Sequence, residues 1–324
     1  MISINEIAAM AGVSKSTVSR YLNGGSISQK TEAKIRKIVE ETGYIPNQFA
    51  RSLKAKETKM IGVIIPRLDS QAMAETLRGI DKVLRQAEYQ MVITNTEQEI
   101  EREIESLYTL AKQKVAGIIL AATLITEKHL KAMAEIEVPI VVVGQHCDSQ
   151  VSVVYDDYQV GRLLGEYIFE QGHRNVAYVG VSEADHAVGV ERKRGVTDRA
   201  ADFSDVELSL FTTDFSSNEA IKVGQTILKK QRPTAIIAAT DNIGLGILKA
   251  CYLEGIRVPE DVSLISVGGY GITELVTPSL TTIKLNFDLA GKLAAQAVTG
   301  QIAEKQQYVV PFQLLERESV DKIK

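Results

Sequence analysis

Seven short runs rich in Ile, Val and Ala (IGVIIP, YQMVITN, GIILAA, PIVVVG, NVAYVG, TAIIAA and SLISVG) recur from residue 61 to residue 268, with amphipathic stretches between them. Continuous apolar runs bounded by Gly, Pro or Asp suit strands buried on both faces, which is the condition of a parallel sheet covered by helices. The pattern therefore predicts an α/β fold in which an open parallel sheet occurs twice. TTIKL and YVVPFQLL read as returning strands, so the chain should cross between two subdomains more than once. Ligands of such folds sit at the carboxyl ends of the strands. No run reaches 18 apolar residues, and MISINEIAAM lacks the basic region and apolar core of a signal peptide, so neither a membrane span nor export is expected, and the location is read as cytoplasmic. Cys147 and Cys251 fit no C-x-x-C spacing and read as buried thiols in a reducing compartment.

The N-terminal segment differs in character. Residues 1–59 hold ten Lys or Arg against five Glu, net +5, which leaves 27 against 36, net −9, in residues 60–324. A basic head on an acidic body suits one module that meets phosphates, with clustering on a solvated surface as the plainer alternative. Ser3 and Glu6 form a capping-box pair ahead of Ile4, Ile7 and Ala8, predicting a short helix that ends near Gly12. Ser14 caps a second helix stopped by Gly24 and Gly25. Its Val18 and Leu22 turn to a small core, and Lys15, Ser16 and Arg20 share the outward face. A third helix is predicted from the Ser28 cap to Gly43, burying Ile35, Ile38 and Val39. Two short helices joined by a glycine-containing turn make a helix-turn-helix, whose second helix enters the major groove. A module of about fifty residues is marginal alone and calls for attachment to a larger body.

AGVSKSTVSRYLN, SQKTEAKI and GYIPNQFARSL resemble, in order and spacing, the DNA-binding head and hinge of the LacI/GalR family. The resemblance implies a helix-turn-helix domain at 1–46, a hinge helix and linker at 47–59, and an effector-binding and dimerisation domain at 60–324. It puts Lys15, Ser16 and Arg20 at base edges, Arg20 being suited to guanine. Ser14, Thr17, Asn23, Ser28 and Thr31 would position the phosphate backbone. Asn47 can cap about two helical turns, too few to be stable in isolation. In the family that helix forms on DNA beside its copy from a second subunit. Leu53 takes the place of the apolar wedge that kinks the minor groove, with Ala50 close by.

The body resembles the effector domain of the same family, which is related to periplasmic sugar-binding proteins. The family arrangement implies an N-terminal subdomain of about 60–157 plus 286–318, a C-terminal subdomain of about 158–285, and a ligand cleft between them. Arg192, three residues before Gly195, matches the arginine that grips ligand hydroxyls or carboxylates, and its planar fork suits bidentate bonding. Asp241, in ATDNIGLG, matches an acidic residue that ends a strand and accepts sugar hydroxyls, with a helix N-cap as the structural alternative. Arg67, Asp69 and Ser70, in IIPRLDSQ, fall where the family lines its cleft; a similar RLDS stretch accompanies a phosphorylated disaccharide effector in trehalose repressor-like members. The family often carries an acidic residue after the SLISVG strand. This chain has Gly269, Tyr270 and Gly271 instead, so Tyr270 either stacks on a sugar ring or packs in the cleft wall. IIPR, the GQ after the fourth strand, DDYQVG, VGVERK and GGYGIT look most similar to sucrose operon repressors, with trehalose repressors next. Sucrose, sucrose 6-phosphate and fructose are the candidate effectors.

His129, His146, His173 and His186 have no metal-ligand spacing, and G-x-S-x-G, Walker and strand-linked G-x-G-x-x-G motifs are missing, so no metal, cofactor or enzyme activity is expected. The tail after Arg317 lacks leucine heptads, which points to a homodimer. The expected function is a dimeric repressor of a sugar-utilisation operon that binds a pseudo-palindromic double-stranded operator and is released by a sugar or sugar phosphate. A trehalose-type repressor, or a catabolite-control regulator with a phosphoprotein corepressor, is the alternative. A sugar-transport protein and an α/β enzyme are the competing classes.

Overall fold

A computed structural model of the chain describes residues 2–22, 25–44, 58–302 and 305–323, which divide into two compact units after Thr58. In the first unit, α1 (Ile4–Ala11) carries a complete capping box: the Ser3 amide donates to Glu6 at 2.7 Å and the Glu6 amide to Ser3 Oγ at 3.3 Å. Gly12 ends it in the left-handed conformation, as Gly43 ends α3 (Gln29–Thr42). Between them lies α2 (Lys15–Leu22). Ile7, Ala8, Ala11, Val18 and Ile35 form the buried centre, and Leu22, Ile38 and Val39 pack around it half-buried. So small a core makes the unit marginal by itself.

In the second unit β1 (Met60–Ile65), α4 (Gln71–Gln86), β2 (Gln90–Asn95), α5 (Ile100–Lys112), β3 (Gly117–Ala121), α6 (Glu127–Glu135), β4 (Ile140–Val143) and β5 (Val151–Tyr155) build the first subdomain. The chain then crosses through α7 (Asp157–Glu170) to β6 (Asn175–Val181), a π-helix (His186–Arg192) continuing as α8 (Lys193–Ala201), and β7 (Glu207–Thr213). α9 (Ser217–Lys230), β8 (Ala235–Ala238), α10 (Asp241–Glu254), β9 (Ser263–Gly268), α11 (Ile272–Leu275) and β10 (Thr281–Leu285) complete the second subdomain. α12 (Phe287–Val298) and β11 (Gln307–Val310) return to the first, and β12 (Phe312–Leu315) to the second.

The first sheet has the order β11-β5-β4-β3-β1-β2 with every pair parallel. The second has the order β12-β10-β9-β8-β6-β7, parallel except where β12 runs against β10. Side chains alternate across each strand, which explains the unbroken apolar runs. Ile61, Val63 and Ile65 enter the core under α4 and α12, whereas Ile64, with Ile118, Leu120 and Val142, enters the core under α5 and α6. One expectation is corrected. The family arrangement puts residues 286–318 in the first subdomain, but Phe312–Leu315 pairs with β10 in the second. Pro311, which has no N–H to give a ladder, separates β11 from β12 at that crossing.

Candidate functional site

Burial of Val18 turns the opposite face of α2 outward, leaving Lys15, Ser16 and Arg20 exposed, with Arg20 one turn beyond Ser16. Ser14 caps the helix: its hydroxyl takes the Thr17 amide at 3.2 Å and pairs with the hydroxyls of Ser16 and Thr17 at 2.7 and 2.8 Å. Ser28 caps α3, meeting the Thr31 hydroxyl at 2.9 Å. These are helix-start positions, where hydroxyls and amides can face a phosphate. Asn23, Asn47, Ala50 and Leu53 lie outside the described residues.

In the second unit the carboxyl ends of both sheets face a cavity of about 160 Å³ between the subdomains. Its floor holds Arg192, the last residue of the π-helix. The π-helix and α8 lie unusually close to α7: a Cβ on Gly161 would come within 2.1 Å of the Arg192 carbonyl oxygen, and one on Gly195 within 2.1 Å of that of Tyr158. That approach drives Arg192 inward against Asp157. Its Nε donates to Asp157 Oδ1 at 3.0 Å, Nη2 donates to the same oxygen, and Nη1 donates to the Ala239 carbonyl. A guanidinium has five N–H groups, and these bonds use three of them among the described residues.

Around this pair stand groups of complementary chemistry. Asp185 caps the π-helix by accepting the Val188 amide at 2.9 Å and lines the cavity, where burial pushes its carboxyl above the usual range. Thr240 caps α10 and also lines the cavity, as do Gln98, Thr123 and Gln145. Phe215, Phe287 and Tyr155 supply aromatic wall, and the Tyr155 hydroxyl is buried with no hydrogen-bond partner among the described residues. Arg67 and Ser70 belong to the lining too. Arg67 reaches from the first subdomain to lie 5.0 Å over the Phe215 ring of the second, and Ser70 caps α4.

Three expected ligand residues are corrected. Asp241 is wholly buried one residue past Thr240, and its oxygens are taken by Ser266 Oγ, Thr282 Oγ1 and the Tyr270 amide at 2.6, 2.6 and 2.7 Å. It is neither a cleft acceptor nor the helix cap, which is Thr240. Asp69 points to solvent, its side chain 81% exposed, and pairs with Arg67 Nε at 3.1 Å. Tyr270 is outside the cavity lining, its ring packed 5.9 Å from that of Phe287. Sequence reading passed over Thr240, Asp157 and Asp185. A polar residue directly after an apolar run and before a helix was the available signal for Thr240.

Residues 3–47 match the family model for bacterial regulatory proteins of the lacI family, and residues 166–320 that for a periplasmic binding protein-like domain. The sucrose operon repressor of Staphylococcus xylosus is 40% identical over 303 residues, covering 93% of this chain and 94% of that protein. Catabolite control protein A of Priestia megaterium is 29% identical over 306 residues, covering 92% of each. Among solved structures, the lac repressor dimer bound to operator and the anti-inducer ONPF superposes with a TM-score of 0.89 at 25% identity, covering 99% of each chain. Identity of 40% running through both units means that the chain belongs to the lacI family of bacterial regulatory proteins and is a DNA-binding transcriptional regulator.

Proposed function

We propose that the protein is a cytoplasmic repressor of a sugar-utilisation operon, foremost one for sucrose, that binds a pseudo-palindromic operator as a homodimer and is released by a sugar or sugar phosphate. The observation that carries the effector reading is the floor of the cavity. Among the described residues, a buried arginine uses three of its five N–H groups beside aromatic walls, and a buried tyrosine hydroxyl there has no partner. Rings with polar edges and apolar faces suit that lining. Arg67 at the rim favours a phosphorylated effector over a neutral one. The sucrose assignment draws on the 40% identical sucrose operon repressor.

On DNA, Lys15, Ser16 and Arg20 read bases. Ser14, Thr17, Asn23, Ser28 and Thr31 hold phosphates, and Asn47, Ala50 and Leu53 serve the hinge. Exposed Tyr252, Leu253, Ile272 and Leu275 on α10 and α11 offer an apolar face for the second copy. The domain limits are 1–46, 47–59 and 60–324. The body is released from DNA by linkage: about 1.4 kcal/mol of differential binding gives a tenfold change in operator affinity.

The test is fluorescence anisotropy on an operator selected from random DNA, titrated with sucrose, sucrose 6-phosphate, fructose, trehalose and trehalose 6-phosphate. Release by a sucrose-type ligand is the expected outcome; release by a trehalose ligand reassigns the operon. Tight binding untouched by all five overturns the effector reading in favour of a phosphoprotein corepressor, the alternative favoured by the 29% identity to catabolite control protein A.

A further inference from the structure

Two loops of the first subdomain line the cavity: the one after β2 contributes Gln98, and the one after β3 contributes Thr123. The first takes a strained course. Glu97 and Gln98 stand at φ 55° and 63°, left-handed backbone that a residue with a Cβ holds only where its surroundings fix it. The second carries a shared acceptor. The Thr123 carbonyl takes Gln145 Nε2 at 2.8 Å and the His186 amide at 3.2 Å. His186 opens the π-helix of the second subdomain, where its N–H has no partner within the helix, so this contact joins the two subdomains beside the cavity.

Behind these loops a polar chain runs through an apolar core. Glu103 of α5 and His129 of α6 are wholly buried on helix faces that otherwise bury Leu107, Leu110, Ala132 and Met133. His129 Nδ1 accepts the Thr126 amide at 3.2 Å and meets the Thr126 hydroxyl at 2.9 Å, which leaves Nε2 to donate to Glu103 Oε2 at 2.8 Å. On the other side the buried Thr96 hydroxyl is shared between Glu103 Oε1 at 3.4 Å and the Ile65 carbonyl at 3.2 Å. The chain from Thr96 through Glu103 and His129 to Thr126 thus begins two residues before Gln98 and ends three residues after Thr123. It ties the two cavity loops to each other. A buried pair of this kind is often no more stabilising than apolar side chains of similar volume, but its directional bonds fix a spacing that apolar packing leaves loose.

We propose that Glu103 and His129 are positioning residues for the effector: their bridge sets the spacing of the Gln98 and Thr123 loops and, through the Thr123 carbonyl, the seat of the π-helix that carries Arg192. Neither residue belongs to the cavity lining, so cutting the bridge weakens ligand binding without removing a ligand contact. The ligand side of this inference rests on the effector reading above; the clamp itself does not.

Glu103→Leu removes the acceptor at similar volume, and Glu103→Gln keeps one. In the full chain the half-saturating concentration of whichever sugar releases operator is expected to rise about tenfold in Glu103→Leu and to stay within about twofold of wild type in Glu103→Gln. Sugar-free operator affinity is expected to be unchanged in both. A bridge that only holds the core together would lower the urea midpoint and leave half-saturation where it was, which overturns the ligand side. Equal impairment in Glu103→Gln, or a parallel loss of operator affinity, overturns the positioning role. In the sugar-free protein, hydrogen exchange of the His186 amide is expected to be about threefold faster in Glu103→Leu, with exchange at Ile119 of β3 unchanged. Equal exchange at His186, or the same acceleration at both amides, overturns the clamp. Should Glu103→Leu fail to fold, Thr96→Val cuts the chain at the Gln98 loop alone and carries the same comparison, with the Gln98 amide, which donates to the Pro66 carbonyl at 3.0 Å, as the reporter. Should none of the five sugars move wild-type operator binding, the effector reading fails, and amide exchange still decides the clamp.

Discussion

Arg192 commits three donors to Asp157 and Ala239, so truncating it leaves a buried carboxylate unpaired at a cost of about 3–5 kcal/mol. Arg192→Lys is the more informative change, because the charge stays and the fork is lost. Sugar affinity should fall about 10- to 100-fold with operator affinity preserved. Parallel loss of both in paired titrations would make the residue structural. In the head, Arg20→Ala should cost about 1–3 kcal/mol of discrimination between operator and random DNA, measured by competition; unchanged discrimination moves base reading to another residue. At this scale the sequence was half legible. It marked the strand end at ATDN but not which of two neighbours faces the cleft. Thr240 must hold extended backbone to cap α10, and the next residue then turns inward to Ser266 and Thr282, which lie 25 and 41 positions further along the chain.

Elements follow local rules where their surroundings are symmetrical. β3, β4, β8 and β9 are buried from end to end and were plain in the sequence as Ile and Val runs. β7 is a sheet edge with exposed positions at Glu207 and Leu210, and its run ELSLFTT gave no such sign. The π-helix also escaped, since its extra residue answers to the contact of Gly161 and Gly195 rather than to any periodicity. Between α4 and α12, Asp288 draws in Lys292 at 2.5 Å and Lys82 at 2.9 Å, and these ammonium groups hold its carboxyl at about 2. A lowered carboxyl contributes stability that is complete above its unfolded value near 4 and is lost as pH falls through about 2. Both lysines are largely solvated, so Asp288→Asn should cost only about 1 kcal/mol at neutral pH and flatten the acid side of a urea-midpoint profile. An acid limb identical to wild type would mean that the cluster adds nothing.

At the scale of the whole protein, the proposed pseudo-palindromic operator would need two heads. The apolar face of α10 and α11, where Leu275 is 79% exposed, is the seat proposed above for the second copy. Leu275→Glu is expected to sediment as a monomer and to bind a full operator far more weakly than wild type; a dimer that persists relocates the interface. The sequence by itself determined the helix caps of the head, the buried strands, the α/β class and the family, because these depend on side-chain period and on hydrogen bonds spanning three or four residues. Only the tertiary structure decided that β12 joins the second sheet, that Asp241 serves the Tyr270 loop instead of a ligand, and that Asp157 faces Arg192. Those outcomes depend on which distant groups meet when two sheets close on one cavity, and hydrogen bonds between residues 29 to 41 positions apart leave no periodic trace in the chain.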